Sequence, residues 1–335
     1  MRRALATAAI CAVALAGCGG SDESDTSTAV SEPEVVETNL PPEEDFLKAG
    51  GEKLDVVGDW MAAGAGSIWL TGSTEVRRLD PADGHVETIN LPETPCNKSV
   101  FAFGAYWTAT CVEDGLARID PESNEVTHVS LPTAELHDGN GMIAAGEGSV
   151  WLITDGKGCG ACVLTGVDPQ TLDIAHEIRI EAGASSVGVG AGSIWVTNPK
   201  KSLVQQIDPS AEEVTAETEV GESPQYLAVD ETGVWVFKQL DGSVARLDPV
   251  SGELEATIEA DMAGAGGTII ASDGMVWVRG ALALLAEIDP ATNEVVRRYS
   301  GEAGTGDVLL AYDALWTSRP HNDKPDLLKL RLPTP

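Results

Sequence analysis

Eight basic residues of an otherwise acidic chain stand where a ligand could meet them. Lys98, Lys157, Lys200, Lys201, Lys238, Arg279, Arg319 and Lys324 fall in or beside irregular stretches of sequence. Arg279 follows a tryptophan by two residues, and Lys238 and Arg319 each follow one by three. Cations that converge receive a carboxylate or a phosphate. Dispersed, they are solvated loop side chains. Lys200, Lys238, Arg279 and Arg319 form the candidate anion site. Trp60 and Tyr226 each stand nine residues before a tryptophan. They would either floor a pocket beside these cations or wedge between structural units.

Catalytic chemistry has thinner support. His137 and His321, which join Lys200, Lys238, Arg279, Arg319, Trp60 and Tyr226 as candidate ligand-binding residues, lie in the irregular stretches "ELHDGNG" and "SRPHNDKPD", far apart in the chain. His85, His128 and His176 fall near turns or in alternating segments, where a solvated histidine is expected. There is no Gly-x-Ser-x-Gly, no His-Glu-x-x-His and no phosphate loop. No catalytic residue, metal ligand or cofactor is therefore assigned. Cys159-Gly-Ala-Cys162 is a C-x-x-C pair, but it lacks the strand–helix setting that activates a redox thiol. Zinc would need a second pair, for which Cys96 and Cys111 are the candidates. A structural role fits better, with the expected disulfides Cys96–Cys111, across a tight hairpin at Gly104-Ala105, and Cys159–Cys162.

The elements that carry these residues repeat. "GAGSIWLT" (Gly64–Thr71) returns as "GEGSVWLIT" (Gly146–Thr154) and "GAGSIWVT" (Gly190–Thr197). Trp69, Trp107, Trp151, Trp195, Trp235, Trp277 and Trp316 mark seven units with a period near forty. Six units carry a downstream Asp-Pro: Asp80-Pro81, Asp120-Pro121, Asp168-Pro169, Asp208-Pro209, Asp248-Pro249 and Asp289-Pro290. The seventh reads Arg331-Leu332-Pro333. One unit resolves into "QYLAV", "VWVFK", "SVARLD" and "ELEATIEA", short alternating runs separated by "DETG", "QLDG" and "PVSG". That is an antiparallel four-stranded meander. Asp-Pro followed by Gly84, Asn124, Gly252 or Asn293 is turn chemistry.

Seven such units predict an all-β, seven-bladed β-propeller over residues 34–335, in which neighbouring blades bury each other's faces. The tryptophans pack between blades. The loops joining second to third strands share one face with the loops joining blades. That face carries the irregular stretches and so the candidate site. The chain ends after the third strand of blade seven. "EVVETNLP" (Glu34–Pro41) echoes the fourth strand "HVETINLP" (His85–Pro92). Val35–Leu40 is therefore expected to supply the missing outer strand and close the ring.

"IDPSAEEVTAETEVGESPQYLAVDETGVWV" (Ile207–Val236) resembles the extracytoplasmic Tyr-Val-Thr-Asn (YVTN) repeat family, and "GAGSIWVT" with "RLDP" resembles streptogramin (virginiamycin B-type) lyases. Both resemblances imply a seven-bladed propeller. The second implies a metal-dependent lyase or hydrolase that uses His, Glu and Mg²⁺, but no stretch here reproduces its catalytic motif.

The N-terminus bounds the compartment. Arg2 and Arg3 precede an apolar run too short to span a bilayer. Leu15-Ala16-Gly17-Cys18 resembles the lipobox of bacterial lipoproteins, which implies a signal peptide over 1–17 and a lipid on Cys18. Residues 18–33 are acidic and poor in large apolar side chains, so they are expected to form a solvated tether. The whole chain of 335 residues carries a formal charge of −32. Without residues 1–17 the balance is 19 basic against 53 acidic residues, or −34. Such a charge argues against nucleic acid as a partner. The expectation is a monomeric, extracytoplasmic, lipid-anchored module that binds a small anionic ligand or an envelope protein.

Overall fold

The tryptophan period is the period of the fold. The computed structural model describes residues 34–36, 39–110, 115–131, 134–136, 142–156, 162–302, 304–319 and 327–332. These form an all-β ring of seven antiparallel blades, a seven-bladed β-propeller. Blade one is Met61–Gly64, Ser67–Thr71, Glu75–Leu79 and Val86–Asn90, paired in that order. The inner strands of blades two to seven are Pro95–Ala102, Ile143–Gly146, Val187–Gly190, Pro224–Asp230, Gly267–Ser272 and Val308–Ala311.

The repeated glycines have two separate causes. In "GAGSIW" the second and third letters make a two-residue hairpin turn with positive φ, 48° at Ala65 and 72° at Gly66, which matches strand twist. The first glycine is set by the next blade. A Cβ on Gly64 would sit 2.0 Å from the Phe101 ring. The carbonyl of that glycine also accepts the indole N–H of Trp69 at 3.0 Å, and Trp151 does the same to Gly146 at 2.9 Å. All seven repeat tryptophans are at most 1 % exposed and pack against the following blade.

The Asp-Pro turns do the work expected of them and one thing more. In all six, the Asp Oδ1 accepts the backbone N–H two residues on, for example Ala82 to Asp80 at 2.8 Å and Val250 to Asp248 at 3.0 Å. The turn also receives a clasp from the preceding blade. Arg78 lies over Trp69 and donates to Pro121 O at 2.6 Å. Arg246 lies over Trp235 and donates to Pro290 O at 2.7 Å, and Lys329 lies over Trp316 and donates to Pro81 O at 2.9 Å. Each cation stacks on its own blade's indole while its head ties down the neighbour.

Ring closure corrects one expectation. An N-terminal strand does complete blade seven, but it is Glu52–Leu54, paired antiparallel with Leu327–Arg331, and not Val35–Leu40. Glu34–Val36 lies parallel on Leu254–Ile258 of blade five, with Val35 opposite Thr257. Glu43–Asp45 lies parallel on Glu294–Ser300 of blade six. The segment is a strap that follows the outer edges of blades five, six and seven in turn. Connection length decides the register. Leu54 lies seven residues before Met61, the same step that joins Ile180 to Val187 between blades three and four. A strand ending at Leu40 would leave a long connection to be accommodated. Phe46, 1 % exposed, fixes the strap by packing edge-on against Tyr299 at 5.5 Å.

Candidate functional site

The residue nine before each tryptophan heads an inner strand, and together they form a ring of seven: Trp60, Lys98, Met142, Ser186, Tyr226, Thr268 and Asp307. Equivalent pairings hold five of them at one level. Thr71, Thr197 and Ser318 donate their N–H groups to Trp60 O, Ser186 O and Asp307 O, while Tyr226 pairs with Phe237 and Thr268 with Arg279. Lys98 lies in a bulge between the pairs made by Cys96 and Ser99.

The ring is filled rather than open. Trp60 of blade one and Tyr226 of blade five come from opposite sides, and their rings stand 6.1 Å apart at 53°. Asp307 is 2 % exposed and Ser186 and Thr268 are 0 % exposed. Asp307 feels the charges of Lys98 and Asp59, and Tyr226 those of Asp307 and Asp59. Residues of blades one, two, five and seven meet in this way only on the axis of a closed ring.

Burial sets the electrostatics. It pushes Asp59 up to about 6. It pushes Asp307 up to about 7, against the opposing effects of Lys98 and of N–H groups donated by Met61 and Val308, both at 2.9 Å. The Tyr226 phenol is driven up to about 12 by burial and then by Asp307 and Asp59, so it stays neutral. Burial lowers Lys98, and Asp307 partly restores it. Arg279 is brought down to about 10 by burial and by Arg319.

These shifts fix a pH dependence. A carboxyl whose folded value is raised holds its proton more tightly in the native ring than in the unfolded chain. The stability this confers is complete below the ordinary carboxyl value and is lost as pH rises through 6 to 7. From pH 5 to pH 8, Asp307 alone is expected to account for about 2–3 kcal/mol of lost stability. Urea melts at intervals across this range should show the decline, and Asp307→Asn should remove most of it, leaving the smaller part due to Asp59. A wild-type profile that stays level would show that Asp307 is already ionised at pH 5.

The four candidate cations fare differently. Arg279 (0 % exposed) and Arg319 are brought together beside Asp307. Arg319 donates to Glu302 O and Glu302 Oε2, both at 2.9 Å. Lys238 ends its strand buried, with Nζ 3.3 Å from the Asp241 carboxylate. Lys200 is exposed and its chain crosses Gly183. Two of the four therefore already face carboxylates. His137, His321, Cys18, Cys111 and Cys159 lie outside the described residues.

Cys162 departs from its expected pairing with Cys159: it is a free, buried thiol. It opens the strand Cys162–Val167, and its side chain enters the core between blades three and four with Leu164 and Ile194, so it is turned away from the loop.

Asp59 and Asp307 were not singled out in the sequence. The signal for Asp307 was present, because the nine-residue offset that marks Trp60 and Tyr226 also selects Lys98 and Asp307. Asp59 carries no such mark beyond preceding Trp60.

The fold and its plugged axis define a seven-bladed propeller with a polar, side-chain-filled channel mouth. No family model matches the chain, and no curated protein matches it. Among solved structures, the crystal structure of BamB from Moraxella catarrhalis is similar in fold, with a TM-score of 0.57 over 82 % of this chain and 83 % of that one. At 12 % identity the likeness extends to the fold alone.

Proposed function

We propose that the chain is a membrane-anchored, extracytoplasmic binding module whose channel mouth receives an anionic group, from a small ligand or from an acidic segment of an envelope protein. One observation carries this reading. Among the described residues no ion pair joins Lys98 to a carboxylate, and Nε and Nη2 of the buried Arg279 have no hydrogen-bond partner. Buried cationic donors without partners are costly, and an anion that reached them would relieve that cost. The scaffold supports the same reading, since propellers present variable loops on a rigid ring. The lipobox-like run Leu15-Ala16-Gly17-Cys18 supports the anchor.

Calorimetric titration with phosphate and with succinate at low salt tests the site. Binding should weaken as salt rises and should be lost in Lys98→Met. If Lys98→Met binds as the wild type does, the site lies elsewhere. The alternative, a metal-dependent lyase or hydrolase, gains no observation in its favour. Among the described residues no three His, Cys, Asp or Glu side chains cluster as metal ligands would. Lys200, Lys238 and Arg319 serve the proposed function as the rim of the same mouth.

The pairing Cys96–Cys111 belongs to this proposal. Cys96 is buried opposite Ala109, at the end of the hairpin that leads into residue 111. Peptide mapping without reductant is expected to recover a 96–111 link and an alkylatable Cys162. A 96–162 link would contradict it.

A further inference from the structure

Next to the cationic donors lies a corner of the opposite sign. A cavity of about 410 Å³ opens on the blade-connecting face between blades one and two. Asp59, Trp60, Thr71, Ser73, Thr94 and Pro95 are among the residues that line it. The backbone of Asp59 is tied on both sides. Its N–H donates to Thr71 O at 2.9 Å, and its carbonyl accepts Ser318 Oγ at 2.5 Å. Its carboxylate, by contrast, makes no hydrogen bond or ion pair among the described residues. Lys98 is coupled to Asp307, not to Asp59. The rise in the Asp59 pKa has burial as its cause, with no cation acting to lower it.

Two aromatic side chains stand near this carboxylate, Trp60 in the cavity lining and Tyr226 against Trp60 outside that lining. Trp60 is half-buried, unlike the seven repeat tryptophans, and so presents indole surface to the cavity it lines. The Tyr226 ring stands 6.1 Å from it, and the neutral phenol is close enough to Asp59 to feel its charge. A carboxylate without a counter-ion beside two π faces is the arrangement that recognises organic ammonium groups. The ring quadrupoles attract the cation and its alkyl groups pack on them, while the carboxylate neutralises the charge.

We infer that Asp59, Trp60 and Tyr226 form a subsite for an organic cation, a primary or quaternary ammonium group. It goes beyond the anion reading and rests on different residues. A ligand that used both would be dipolar, with its anionic end toward Lys98 and Arg279 and its ammonium on Asp59.

The experiment is a ¹⁹F NMR titration of the protein labelled with 5-fluorotryptophan, in which the resonance missing from Trp60→Phe identifies Trp60. Choline and n-butylammonium chloride are added at constant ionic strength, with sodium chloride as the reference. The Trp60 resonance is expected to shift saturably with both amines and not with sodium. Asp59→Asn should weaken binding at least tenfold while its melting temperature stays close to that of the wild type. Lys98→Met should leave amine binding intact, which separates this subsite from the anion reading. Equal shifts with sodium chloride would mean general attraction to an acidic surface and would overturn the inference. So would an Asp59→Asn protein that still folds and binds amines as before. A Trp60 shift with phosphate and none with amines would retain the anion site and remove this one.

Discussion

A chain that begins at residue 39 is expected to melt like the full-length ring, whereas one that begins at residue 48 should lose about 3–5 kcal/mol. The first deletion removes Glu34–Val36, an added outer strand on blade five whose Val35 is 66 % exposed. Three backbone pairings on an outer edge contribute little. The second also removes Glu43–Asp45 and Phe46. Phe46 fills a core shared by blades six and seven, with Trp277, Leu284, Tyr299, Leu315 and Leu328. Glu43 also faces Arg298 at 3.1 Å, so its loss leaves that guanidinium with Asp261 at 2.9 Å. Phe46→Ala in the full chain should reproduce most of the loss, because the cavity and not the strand is the main cost. Urea denaturation of the three proteins decides it. Equal midpoints for wild type and Phe46→Ala would mean that the strap is a passive tether. Deleting residues 19–42, which spares Phe46 and Glu52–Leu54, should have only a small effect.

Trp235→Ala should cost a similar 3–5 kcal/mol. The indole is 0 % exposed and lies between blades five and six against Ile269, Val276 and Ile288. Its removal also strands Arg246. The guanidinium stacks on the indole at 4.9 Å while it donates to Pro290 O at 2.7 Å and to Asn293 Oδ1 at 2.8 Å. Arg246→Met alone should cost about 1–2 kcal/mol, since it removes the clasp but keeps the core. The double mutant should fall short of the sum, because the stacked pair is lost only once. Additive effects in chemical denaturation would show that ring and clasp act independently.

The sequence by itself determined the blade. The glycine pairs at the hairpin, the indole that follows them and the Asp-Pro turns act over fewer than ten residues. Each has a local physical cause, whether a positive φ, an indole N–H bond to a nearby carbonyl or a side-chain oxygen accepting turn N–H groups. Seven copies then fix an all-β ring, since no meander can cover its own two faces.

What closes the ring was decided only in three dimensions. Every outer edge offers similar backbone groups, so the echo between "EVVETNLP" and "HVETINLP" marks edge-strand composition and does not say which edge. Connection length and the pocket for Phe46 choose. The channel mouth is likewise tertiary. Asp59 and Asp307 stand 248 residues apart and share a field only because blade seven meets blade one. The anion site read from Lys200, Lys238, Arg279 and Arg319 counted cations on one face, but it could not see that Asp241 and Glu302 stand against two of them. Periodicity tells where a side chain sits in its blade. Its charge partners come from other blades, and the closed ring alone brings them within reach.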